Sequence, residues 1–171
     1  MLVAVVALTE AGCDAGDPDG NAVTPGPVAF DATDEIAQHS GIYADAGNRV
    51  VFGGNAVENT GDEDAVLSSA RVTGDVQNFQ ALVVETRVIP LEGPDQDTLG
   101  SAAWPFEDYD ERSQPLDGYV LSPGARAEIL LVVDVLETGT WTWPVTGLTY
   151  RVGDREHDHN NVRIPGLPEE G

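Results

Sequence analysis

His157-Asp158-His159, with Glu156 just before them, is the densest group of side chains in the chain that could bind a metal. Side chains alternate along a β-strand, so both imidazoles would point to one side. At a rise of ~3.3 Å per residue they would sit about 7 Å apart along the backbone. That spacing suits a shared Zn²⁺ or Cu²⁺ if a third ligand comes from elsewhere. The simpler expectation for the same residues is a polar edge strand whose charge discourages pairing with another chain. Gly153-Asp154 reads as a two-residue turn. It predicts Val152 opposite Arg155, Tyr150 opposite His157, and Arg151 opposite Glu156. His39 is set apart from these residues, and a blue-copper centre finds no ligands because the single Cys and single Met both stand near position 1.

A second constellation is aromatic and acidic. Between residues 90 and 118 the strand pattern lapses, and the segment carries eight carboxylates against Arg112 alone. Trp104, Phe106 and Tyr109 stand among Glu107, Asp108, Asp110 and Glu111. Rings offer contact area, and the carboxylates attract a basic peptide, a sugar or Ca²⁺, so these residues are the candidate ligand surface. The alternative is that the rings fold back to plug one end of the domain while the acids stay in water. Segments of this length without pattern tend to be functional or disordered.

Catalytic signatures are sparse. There is no G-x-S-x-G elbow, no H-E-x-x-H and no glycine-rich phosphate loop. All eight basic residues are Arg, which removes Schiff-base chemistry and the P-loop lysine. Carboxylates are so plentiful that some pair will resemble a hydrolase dyad by chance, so a hydrolase is a distant alternative with no residue to name. A net charge of −22 and a pI near 4.1 argue against nucleic acid and anionic lipid surfaces, which would repel the chain. No cofactor is expected.

At the N-terminus, Leu2–Leu8 is a short apolar run followed by Thr9-Glu10-Ala11-Gly12-Cys13. Ala11-Gly12-Cys13 resembles the end of a bacterial lipoprotein signal, although Glu10 stands where such signals carry an apolar residue. The resemblance implies lipidation of Cys13, an extracytoplasmic location at the cell envelope, and membrane contact only through the lipid. A run this short cannot span a bilayer. Residues 1–13 are thus a truncated signal segment, and residues 14–47, rich in Asp, Gly, Pro and Ala, are a flexible acidic tether. Val28-Ala29-Phe30 within it reads as a short strand docking on the domain. Asp17–Asn21 is not an EF-hand, because Pro25 and Val28 stand where the twelfth ligand is needed.

These groups must be positioned by the remainder, a folded domain over residues 48–165 with a tail at 166–171. Its centre is Arg126–Val152, two neighbouring strands joined at Glu137-Thr138-Gly139. In the first, Ala127, Ile129, Leu131, Val133 and Val135 alternate with a mixed set, Glu128, Leu130, Val132 and Asp134. In the second, Trp141, Trp143 and Val145 fall out of step with Leu148, Tyr150 and Val152, so a β-bulge at Thr146-Gly147 is predicted to bring all six to one face. Further strands are expected at 48–58 (Val50 and Phe52 inward, interrupted at Gly53-Gly54), 66–73 (Val66, Ala70, Val72), 81–89 (Leu82, Val84, Val88), 118–121 and 155–164. About seven antiparallel strands with turns at near-regular spacing indicate an all-β sandwich. Asn59-Thr60-Gly61-Asp62-Glu63-Asp64, Leu121-Ser122-Pro123-Gly124 and Gly139-Thr140-Trp141 follow one another as they do in bacterial extracellular immunoglobulin-like modules of the cell-adhesion-related kind. The chain resembles that family from about Asn48 to Val152, which implies an immunoglobulin-like fold and a non-enzymatic binding or scaffolding role. The expected partner is a protein, glycan or cation at the envelope.

Overall fold

A computed structural model of the chain describes residues 26–30, 44–73, 81–93, 98, 101–138 and 145–160. Ten strands and one short helix lie among them: β1 (Val28–Phe30), β2 (Arg49–Asn59), β3 (Ala65–Thr73), β4 (Ala81–Leu91), β5 (Ser101–Ala103), α1 (Glu107–Arg112), β6 (Gln114–Pro115), β7 (Val120–Leu121), β8 (Arg126–Val135), β9 (Val145–Val152) and β10 (Arg155–Asn160). The seven expected strands are present. The other three are β1, from the Val28–Phe30 triplet, and β5 and β6, from within the 90–118 segment.

All pairings are antiparallel, in two sheets. The larger runs β1-β2-β8-β4-β6, with β5 also on β2; the smaller runs β10-β9-β3-β7. One buried cluster takes side chains from both: Val28, Val50, Val57, Val88 and Ile129 from the larger sheet, and Leu67, Leu121, Leu148 and Tyr150 from the smaller. Ala44 joins the same cluster. Removing this much apolar surface from water is the main term holding the two sheets together.

β8 lies between β2 and β4, as a dense apolar run should. Its alternating set faces the shared core. Its mixed face is buried too, because Leu130 and Val132 form a second cluster with Val51 and Ile89 on the outer side of the sheet. β8 and β9 follow one another in the chain but pair in different sheets, β8 with β2 and β4, β9 with β3 and β10.

The predicted β9 bulge is corrected. β9 pairs residue by residue from Val145 to Val152, and the register shift lies on β3, between Leu67 and Ser69. Thr146 is itself buried in phase with Leu148 and Tyr150, so no extra residue is needed at that point. Trp141 and Trp143 lie outside the described residues, as do Cys13 and His39. The shift on β3 also changes its inward set to Ala65, Leu67, Ala70 and Val72 and turns Val66 out. A similar shift on β4 between Val83 and Glu85 sends Ala81, Val83 and Val88 to the core and leaves Leu82 and Val84 exposed, reversing part of the expected phase. On β2 the Gly53-Gly54 interruption is a bulge within a continuous strand. Gly54 has φ +80°, and its N–H donates to the carboxylate of Glu128, only 1% exposed, at 2.7 Å.

Candidate functional site

Within the 90–118 segment, residues 101–115 cross the outer face of the larger sheet from its β2 side to its β4 side. β5 pairs with Val50–Phe52, and β6 pairs with Arg87 and Val88. Between them Trp104 and Tyr109 pack, half-buried, on the cluster of Val51, Ile89, Leu130 and Val132. The rings therefore cover a sheet face; they do not plug an end of the domain. The Trp104–Pro105 peptide is cis, and the Trp104 N–H donates to the Arg49 carbonyl at 3.0 Å.

Arg87 ties this cover down. It sits in β4, an otherwise largely apolar strand, with its side chain only 16% exposed. Nε donates to Ser113 Oγ at 2.6 Å and Nη2 to the Ser113 carbonyl at 3.0 Å, while Nη1 pairs with Glu85 at 2.5 Å. Asp110 lies 3.9 Å from Nη2, and the guanidinium carbon stands 5.6 Å from the centre of the Trp104 ring. A planar cation with five donors can serve two backbone-linked partners, a carboxylate and a ring face at once, which a lysine could not. Sequence reasoning missed Arg87. Its signal was a charged pair, Glu85 and Arg87, set in an otherwise largely apolar strand.

What α1 leaves outside is the rest of the candidate surface. The helix has one full turn, closed by Tyr109 and Asp110 N–H groups on the Phe106 carbonyl at 2.8 and 2.9 Å. Phe106 is 42% exposed, with its ring 5.4 Å from that of Tyr109. Glu107, Asp110 and Glu111 are exposed beside it, and the side chain of Asp108 lies outside what is described. The six predicted residues are thus split: Trp104 and Tyr109 hold the cover in place, and Phe106, Glu107 and Asp110 face solvent. Next to this cover, Gly47, Arg49, Trp104, Pro105, Asp134 and Leu136 line a shallow depression. Across it Arg49 Nε and Nη2 donate to the two Asp134 oxygens at 2.5 and 3.0 Å. That pairing holds the Asp134 carboxyl below its ordinary pKa.

The histidine strand is β10, in the predicted register: Arg155 with Val152, Glu156 with Arg151, His157 with Tyr150. Both imidazoles project to one side, and both are stacked. His157 lies on Tyr150 at 5.3 Å and 21°, and His159 on Phe30 at 5.5 Å and 24°. On the other face Asp158 accepts from Thr149 Oγ1 at 2.6 Å and from Arg71, and these contacts lower its pKa. No group of three His, Cys, Asp or Glu side chains able to hold a metal ion occurs among the described residues. Two of the three landmark stretches of the immunoglobulin-like resemblance, 59–64 and 121–124, meet at Asn59, and the third, 139–141, lies outside the described residues. The buried Asn59 Nδ2 donates to the Glu63 and Leu121 carbonyls, both at 2.8 Å, and its Oδ1 accepts from Gly61 N–H at 3.0 Å. Among the described residues no helix is long and apolar enough to cross a membrane. Comparison with known protein families, curated proteins and solved structures finds no match to this chain in any of the three.

Proposed function

We propose that this chain is a non-enzymatic, extracytoplasmic binding or scaffolding domain of immunoglobulin-like β-sandwich type, carried at a bacterial envelope on a tether lipidated at Cys13. The observation that carries the binding reading is the exposed Phe106 ring set among Glu107, Asp110 and Glu111 on a cover that is otherwise packed and hydrogen-bonded. A partly exposed aromatic with carboxylates around it suits a partner with apolar surface and positive charge, or a sugar ring. Two antiparallel sheets sharing one core, with Asn59 joining two of the three landmark stretches, support the immunoglobulin-like reading.

The test must leave the cover in place, since deleting it would expose Val51, Ile89, Leu130 and Val132. A triple variant, Phe106→Ser, Glu107→Gln and Glu111→Gln, should fold like the parent and lose capture of its envelope partner. Undiminished capture would refute the surface. Lipidation is tested separately by mass spectrometry of the mature N-terminus, where an unmodified Cys13 would remove the anchor.

A further inference from the structure

β1 is three residues long, stands at the end of its sheet, and pairs only with Val57–Asn59. Its buried side chains, Val28 and Phe30, are held from across the domain by the smaller sheet. The Val28 N–H donates to Tyr150 Oη at 3.2 Å, and the Phe30 ring lies over His159. Gly26 fits against the same group. A Cβ there would collide with Tyr150 Oη and come within 2.7 Å of His157 Nδ1. The edge between the two sheets is therefore closed by a short N-terminal segment resting on two imidazoles and a tyrosine.

We propose that residues Gly26–Phe30 form a proton-sensitive strap, seated on Tyr150, His157 and His159 while His159 is neutral and released when it is protonated. An imidazolium at His159 would have to form against the Phe30 ring, partly shielded from water. From β9 the residue across from it is Leu148, and on its own strand His157 shares its face. From β1 it meets Phe30. Glu156 and Asp158 alternate to the opposite face, where Asp158 is engaged by Thr149 and Arg71, and Glu58 of β2 stands out of phase with the inward Val57 and Asn59. Tyr150 is a neutral phenol whose pKa is raised by burial. Burial also holds the His159 pKa below its ordinary value. An imidazolium–Phe30 contact offsets part of that cost. Because the seated state has the lower pKa, seating is fully favoured above the ordinary imidazole range and weakens as pH falls through it.

Amide hydrogen exchange by NMR on the full chain, expressed as protection factors corrected for intrinsic rates, tests this. Between about pH 7.5 and about pH 5 the protection of Val28 should fall by about threefold or more, while that of Ile129 in β8 holds. In His159→Phe the fall at Val28 should vanish. Equal protection of Val28 at both pH values, or the same fall in His159→Phe, would overturn the strap. Should that variant not fold, the wild-type titration decides. A common midpoint for the Val28 amide and the His159 ring supports the strap, and separate midpoints overturn it.

Discussion

Asn59 has no exposed surface and uses both ends of its amide to join two turns that are far apart in the chain. Asn59→Ala leaves the Glu63 and Leu121 carbonyls and the Gly61 N–H each short of a buried partner. Unmade buried hydrogen bonds cost about 1–3 kcal/mol each, and partial access to water lowers the sum, so a loss of roughly 2–4 kcal/mol is expected in denaturant unfolding. Asp158 gives a pH prediction with a definite sign. Its folded pKa is depressed, first by Thr149 and then by Arg71, so its contribution is present above the ordinary carboxylate range and lost as pH falls through the folded value. Asp158→Asn should lower the melting temperature slightly at neutral pH and leave it unchanged at acid pH, so that the acid limb of the profile flattens. At this scale the sequence was legible where a residue's own chemistry sufficed. The Gly153-Asp154 turn set the β9–β10 register, and with it the partner of His157. Asn59 and Arg87 were not legible, because their meaning lies in partners supplied by distant segments.

The elements show the same division. β8 announced itself through alternation, and the β2 bulge through its paired glycines. The shifts on β3 at Ser68 and on β4 at Val84 are marked by no Gly, Pro, Asn or Asp, so the inward sets of both strands differ in part from the expected phase. The cover over 101–115 was hidden for a related reason. Its periodicity is weak because each of its pieces is only two to six residues long and is fixed by the sheet beneath. Arg87 is the piece that can be removed cleanly. Arg87→Leu should free Ser113 and unfasten α1, raising hydrogen exchange over 104–113 by about tenfold or more while β8 stays protected. At the other edge, Gly26→Ala should unseat β1 through steric contact alone, so its loss of Val28 protection should be independent of pH.

For the molecule as a whole, all-β architecture followed from the number and spacing of strands, and the two sheets with a shared core bear that out. Which strand joins which sheet did not follow, since β8 and β9 look like a pair until their partners are known. The chain carries a net charge of −22, and its like charges repel one another. Added salt should therefore raise the melting temperature, by about 2–4 °C for each kcal/mol of repulsion relieved, with most of the gain below about 0.5 M. A melting temperature insensitive to salt would mean that the carboxylates are already neutralised by contacts within the fold. In the binding role proposed above, the same charge would favour a cationic partner for the exposed face around Phe106. Quantitative capture from envelope extract by the wild-type domain and by the Phe106→Ser, Glu107→Gln, Glu111→Gln variant, matched for melting temperature, tests this role most directly. A saturable partner held by the wild type and lost by the variant is the expected result; equal retention by both would contradict a binding role for this face.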